Sequence, residues 1–198
     1  MSFSAQVKEE LCRTPLSRRC CARAEAYGIL LFCHSFTAVE IKIVTSAPVF
    51  AKRLPALFRK AFKVDFDRTP EPAETGKRIF LITDPGKLAA IREAYGSDPA
   101  VSLANHINFA VLEEDHDRAA FLRGAFLAGG SVNDPTKSYH LELVTSHYSV
   151  SRELAALLPE VLRGVIDGIS WPKSCRWGTT TEMFSRPVRW LVALLGDT

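Results

Sequence analysis

Apolar residues along this chain recur at two spacings, helical and alternating, and the two spacings trade places in a regular order. An opening helix is predicted over Ala5–Cys12, closed off by Pro15, and a second over about Ser17–Cys33 that becomes apolar toward its end. Residues 35–45 alternate and read as a hairpin, with Phe36, Ala38 and Val39 in one arm and Glu40 to Val44 in the other. A helix follows over about Pro48–Phe62, then short strands at Val64–Phe66 and Arg78–Ile82 around the turn Thr69-Pro70-Glu71-Pro72. Asp84-Pro85-Gly86 opens another helix, to Tyr95, with Asp84 as N-cap and proline at the first helical position. Residues 96–117, punctuated by Gly96-Ser97-Asp98-Pro99 and an acidic run, read as a linker. The pattern then restarts. A helix covers Asp117 to about Ala128, a hairpin Val132–Thr145, a helix Ser149–Arg163, strands near Val165–Ile169 and Lys173–Thr180, and a last helix Pro187–Leu195.

Each half therefore reads helix, hairpin, helix, hairpin, helix, and the repeat is visible in the letters. Residues 41–58 align without gaps on 141–158. Val44, Thr45 and Ser46 meet Val144, Thr145 and Ser146, and Leu54, Ala56 and Leu57 meet Leu154, Ala156 and Leu157. Upstream, Gly28 meets Gly124 and Leu31 meets Leu127 at an offset of 96, so the second hairpin carries four extra residues around Asn133-Asp134-Pro135. A repeat of this kind decides the fold before any single residue does.

Ala120, Gly124 and Ala128 are spaced by four and lie in one stripe; Ala24 and Gly28 form a shorter one. A stripe without bulky side chains lets another helix come close, which offsets the roughly 1 kcal/mol that a helical glycine costs. The economical arrangement packs the two helices on each other across a pseudo-two-fold axis. Gly129-Gly130 suits a helix end that needs positive φ. A phosphate-binding loop is rejected, because no Lys-Ser/Thr follows and these glycines end a helix instead of opening one.

Composition narrows the classes without naming one. With 198 residues, 47% hydrophobic and 24% charged, the chain is long enough for a core and ordinary for a globular protein. No apolar run is long enough to cross a bilayer, and the N-terminus has no basic-then-apolar pattern; a cytoplasmic protein is expected. The net charge of +3 is uneven: residues 1–68 carry 12 Lys+Arg against 6 Asp+Glu, the remainder 13 against 16. Five cysteines, an odd number, point to reduced thiols. Cys12, Cys20, Cys21 and Cys33 contain no C-x2-C pair, and Cys20 and Cys21 diverge around a helix, so no metal and no cofactor are expected.

Paired helices of the form small-Gly-apolar-apolar-apolar, each followed by a hairpin, resemble the LAGLIDADG homing-endonuclease fold. More specifically, the stretch Arg118 to Pro135 (RAAFLRGAFLAGGSVNDP), Lys137 to Glu142 (KSYHLE) and the opening Ser2-Phe3-Ser4 with Val7 to Cys12 resemble the WhiA family. The resemblance implies an α+β, duplicated αββαββα fold. One half would be 1–95 and the other 118–198, joined by the 96–117 linker. It implies a bacterial, nucleoid-associated DNA-binding transcription regulator of sporulation and cell division. It also implies a helix-turn-helix domain beyond this one; the chain reaches Thr198 about where the first domain should finish.

Active homing endonucleases hold divalent ions on an acidic residue at the end of each paired helix. Aligning Gly28 and Gly124 with the motif glycine places Cys33 and Gly129 there, and neither offers the oxygen that Mg²⁺ wants. No enzyme activity and no catalytic residue are therefore expected. Glu25 and Arg123 sit elsewhere on the helices, and Cys33-His34 lacks a third member for nucleophilic catalysis. In the fold that the chain resembles, exposed strand residues meet the major groove. Alternation nominates Glu40 and Lys42 in one half and His140 and Glu142 in the other. Lys77, Arg78, Lys173 and Arg176 are better phosphate contacts, and Arg18 and Arg19 belong to a second basic group with Arg13 and Arg23. Trp171 and Trp177 read as packing residues. The partner expected is promoter duplex. The alternative is a protein-interaction module, with the helix-turn-helix domain reading DNA; an active nuclease comes third. A monomer is natural, because the pseudo-dimer is already made within one chain.

Overall fold

Ser2 starts the first helix of the computed structural model, its hydroxyl accepting from the Ala5 amide at 3.2 Å. The structure describes residues 2–71, 76–96, 105–134, 136–137, 140–168, 175–176 and 183–184. Helix α1 covers Phe3–Cys12, α2 Arg19–Phe32, α3 Pro48–Phe62, α4 Pro85–Glu93, α5 Asp115–Gly129 and α6 Tyr148–Gly168. The strands are β1 (Ser35–Phe36), β2 (Ile41–Thr45), β3 (Arg78–Ile82), β4 (Gly130–Val132), β5 (Leu141–Leu143), β6 (Cys175–Arg176) and β7 (Met183–Phe184). As the local signals require, Pro48 and Pro85 stand at helix starts, and Asp84 accepts from the Lys87 amide at 2.8 Å.

The chain divides into two compact units, residues 1–152 and 153–198. This division differs from the repeat boundary in the 96–117 stretch, because α2 and α5, one from each half of the repeat, pack together inside the first unit. Around that pair lie the fully buried Phe50, Phe58, Phe121, Ile29, Leu30 and Leu31. Each contributes roughly 1.5–3 kcal/mol by leaving water. The second unit holds the rest of α6 and, among the described residues, the hairpin β6–β7 with Cys175 opposite Phe184.

In the first unit β1, β2 and β3 form an antiparallel sheet in that order. Ile41 faces Ile82, Ile43 faces Phe80 and Thr45 faces Arg78, while Lys42 faces Leu81 and Val44 faces Ile79. The first set is the core side of the sheet, where Ile41, Ile43, Phe80 and Ile82 are buried. The repeat leaves a matched detail: Thr45 Oγ1 accepts from the Ala47 amide at 3.1 Å, and Thr145 Oγ1 from the His147 amide at 3.2 Å. Each turn delivers the chain into the next helix, α3 or α6.

Three sequence expectations change. Val64–Phe66 forms no strand; a lone bridge pairs Arg68 with Leu81. The alternation there reflects burial alone, since Phe66 packs on Phe58 and Phe80 at 4.6 and 5.1 Å between ring centres. Asp65 and Asp67 spend their carboxylates locally, on Arg59 and on the Thr83 and Asp84 amides. Val165–Ile169 is not a strand either, since α6 continues to Gly168. Helical spacing through Leu154, Leu157, Val161 and Val165 outweighs the β-branched pair Val165-Ile166. Finally, Gly130 is extended (φ −89°, ψ 149°), without positive φ, because α5 runs straight into β4. What glycine supplies is room: a Cβ at Gly129 would stand 2.3 Å from the Val144 carbonyl oxygen, and one at Gly130 2.3 Å from the Phe126 ring.

The stretch read as a linker is fastened where it is described. Tyr27 donates its hydroxyl to the His106 carbonyl at 2.6 Å and accepts from the Asn108 amide at 2.8 Å. Asn105 donates to the Phe36 carbonyl at 3.0 Å. Helix α5 begins at Asp115, two residues before the expected helix start. The last predicted helix, Pro187–Leu195, lies outside the described residues.

Candidate functional site

Two surfaces can be built from the residues upward: the C-terminal ends of the paired helices, and the outer face of the three-stranded sheet. At the crossing of α2 and α5, a Cβ on Gly28 would stand 2.1 Å from the Phe121 carbonyl oxygen, and one on Gly124 2.0 Å from the Glu25 carbonyl oxygen. Ala24 and Ala120 are buried in the same interface, while Ala128 is half-buried farther along α5. Lys8 closes that end of the helix by donating to the Leu127 carbonyl at 3.2 Å, and burial lowers its pKa.

Glu25 is wholly buried beside the crossing. Its Oε1 accepts from Arg53 Nε at 2.6 Å, and its Oε2 from Arg53 Nη2 and Arg123 Nε, each at 2.9 Å. Arg53 also donates to the Cys12 and Thr14 carbonyls, at 2.9 and 2.7 Å. The carboxylate thus ties α2 to α3 and α5, and Arg53 in turn holds the end of α1. Sequence reading placed Glu25 and Arg123 on their helices without pairing them, because their separation of 98 residues carries no local signal.

At the helix ends, Cys33 Sγ donates to the Leu30 and Ser35 carbonyls at 3.2 and 3.1 Å. Burial pushes its thiol up to about 12, so it is a neutral donor near pH 7. At the equivalent end of α5 the Gly129 carbonyl accepts from the Val144 amide at 3.0 Å, with the Phe32 ring against the glycine. The residues at the two ends, Cys33 and Gly129, carry no carboxylate of their own, and Glu40 is close enough to Cys33 to help raise its thiol. Asp134, in the longer hairpin, accepts from Thr136 Oγ1 and the Thr136 amide, which lower its pKa.

The sheet register sorts the basic candidates. Lys42 is half-exposed on the outer face, with Ser35 on one side and Leu81 on the other. Arg68, bridged to Leu81, completes that cross-strand row; sequence reading missed it, because nothing local says that residue 68 joins the sheet. Counting back from Leu81 and Ile79, the exposed Lys77 continues the outer face. Arg78 stands opposite Thr45 and by alternation belongs to the inner face, half-buried. Lys42, Arg68 and Lys77 carry no ion pair among the described residues. Arg18 is exposed, while Arg19 and Arg23 donate to the Ala61 and Ala94 carbonyls at 3.4 and 2.5 Å. Arg13 pairs with Glu9 at 3.2 Å. In the second half, His140 lies 3.8 Å from Glu142, both exposed, and His147 sits beside Asn105 with its pKa lowered by burial. Arg176 is in β6, and its side chain, with Lys173, Trp171 and Trp177, lies outside the described residues. Among the described residues no helix is long and apolar enough to cross a membrane.

Comparison with known proteins gives three kinds of match. Residues 103–198, just under half of the chain, match the model of a family described as glycyl-tRNA synthetase beta subunit. The chain is 34% identical to a probable cell division protein WhiA of Ruminiclostridium cellulolyticum, a match covering 78% of this chain and 51% of that protein. It is 32% identical to the protein of the same description in Alkaliphilus oremlandii, covering 80% and 54%. The chain thus spans about half the length of the curated relatives it matches. Among solved structures it is similar to full-length WhiA from Thermatoga maritima (TM-score 0.56, 22% identity, 83% of this chain and 50% of that one). It is also similar to the separate N-terminal LAGLIDADG domain of WhiA (TM-score 0.55, 22% identity, 82% and 75%).

Proposed function

The chain belongs to the WhiA family and has the fold of that family's N-terminal LAGLIDADG domain, and from that premise we propose that it is a non-catalytic, DNA-contacting domain of a bacterial regulator of sporulation and cell division. The observation that carries the reading is the outer face of the sheet. Lys42, Arg68 and Lys77 stand on it without a carboxylate partner among the described residues, as cations that meet phosphates must. The absence of cleavage rests on the helix ends, where a neutral thiol and a glycine occupy the positions at which a nuclease holds its metal ligands. Acting as a monomer on promoter duplexes, at the nucleoid, follows from the same reading.

The test is binding of duplex DNA by the full chain across a salt series, followed by fluorescence anisotropy. Steep weakening with salt is expected, and Lys42→Ala and Lys77→Ala should each lower the slope by about one. Arg19→Ala, whose guanidinium is already held by a backbone carbonyl, should leave it unchanged. No binding at low salt overturns the reading.

A second reading, a protein-interaction module, is favoured by the other half. Where the first half has Lys42 the second has Glu142, and Leu141, Val144 and Tyr148 are 57%, 57% and 77% exposed. In that case the family's helix-turn-helix domain reads the DNA, and this chain alone binds none.

A further inference from the structure

The first turns of α2 and α5 lie together at the end of the helix pair away from Cys33 and Gly129, and we propose that Cys20, Cys21, His116 and Asp117 there form a binding site for a zinc-type divalent cation. Their ligand atoms all lie within 4.8 Å of one another. Cys20 Sγ is 3.4 Å from His116 Nε2, and His116 Nε2 is 3.5 Å from Asp117 Oδ1. A tetrahedral zinc with bonds of about 2.0–2.3 Å separates its ligand atoms by about 3.3–3.8 Å. Two measured edges of the cluster already have that length.

The second observation is Asp117. The residue is 7% exposed, and its Oδ1 has no hydrogen-bond partner among the described residues. A buried carboxylate oxygen left without a partner is costly, and a cation at the centre of the cluster satisfies it. The oxygen faces the ring nitrogen of His116, so it is aimed into the cluster. Cys20 is exposed and leaves an entry path.

The repeat explains how four ligands meet without any C-x2-C motif. At the offset that places Gly28 on Gly124, Cys20 falls on His116 and Cys21 on Asp117. Each half contributes two adjacent residues from the first turn of its paired helix, and the pseudo-two-fold axis brings the pairs together. Adjacent residues diverge by about 100° around one helix, but two such pairs facing each other enclose a point between them. Four protein ligands leave no open position, so the site is structural: it pins the start of α2 to the start of α5.

The test uses the full chain, reduced and freed of metal, titrated with Co²⁺ as a spectroscopic probe and with Zn²⁺ against a chromophoric chelator. One equivalent of Co²⁺ should bind with the intense visible bands of a tetrahedral site and thiolate charge transfer, and Zn²⁺ should displace it. Cys20→Ser and Asp117→Asn should each weaken binding by more than about 10-fold, while Cys12→Ser and Cys33→Ser should not. Cys20 is exposed, so its replacement leaves the fold intact, and far-UV circular dichroism checks that for Asp117→Asn. Absence of one-to-one binding in the unaltered chain overturns the proposal. So does binding that survives both Cys20→Ser and Asp117→Asn undiminished.

Discussion

Glu25, on α2, joins three helices through its bonds to Arg53 on α3 and Arg123 on α5. It has no access to water and is held by two guanidinium groups, so its carboxylate is a tie between elements and not a reactive group. Replacing it breaks a buried network and leaves Arg53 and Arg123 without their counter-ion, a change that costs about 3–5 kcal/mol. Glu25→Gln should lower stability by that amount in urea unfolding followed by circular dichroism; a loss below about 1 kcal/mol would mean that the arginines find water or other partners. The same scale separates the basic candidates. Arg19, Arg23 and Arg53 look interchangeable with Lys42 in a string of letters, yet backbone carbonyls or Glu25 hold the three arginines, while Lys42 has no ion pair among the described residues.

At the scale of elements, glycine spacing was informative and glycine conformation was not. Gly28 and Gly124 each stand where a Cβ would lie about two ångströms from a backbone oxygen of the other helix, and backbone cannot swing aside as a side chain can. Alanine would gain up to about 1 kcal/mol of helix propensity but must push the helices apart. Gly28→Ala and Gly124→Ala should therefore each destabilise by a net ~1–3 kcal/mol in thermal unfolding; an unchanged or raised Tm would show that the crossing has slack. The strand reading failed where alternation had another cause, burial at Phe66 and a continuing helix at Val165. Helix α3 matches its prediction at both ends, because Pro48 opens it and Lys63, in the left-handed region at φ 61°, ends it.

At the scale of the molecule, two ends of one helix pair have different fates. One end carries Cys33 and Gly129, and incubating the chain with supercoiled duplex and Mg²⁺ or Mn²⁺ should give no cleavage; specific nicking abolished by EDTA would reverse that assignment. The other end gathers Cys20, Cys21, His116 and Asp117. What the sequence by itself determined was the repeat, the order of most elements, the two small-residue stripes and the family. All of these are carried by spacing along the chain and by residue type, which burial patterns and close approach impose locally. Only the tertiary structure decided that Glu25 meets Arg53 and Arg123, that Arg68 joins the row of Lys42 while Arg78 turns inward, and that two cysteines face a histidine and an aspartate 96 residues away. Strand register and the crossing of distant helices set those pairings. Both arise from packing across the whole unit, so no window of neighbouring letters contains them.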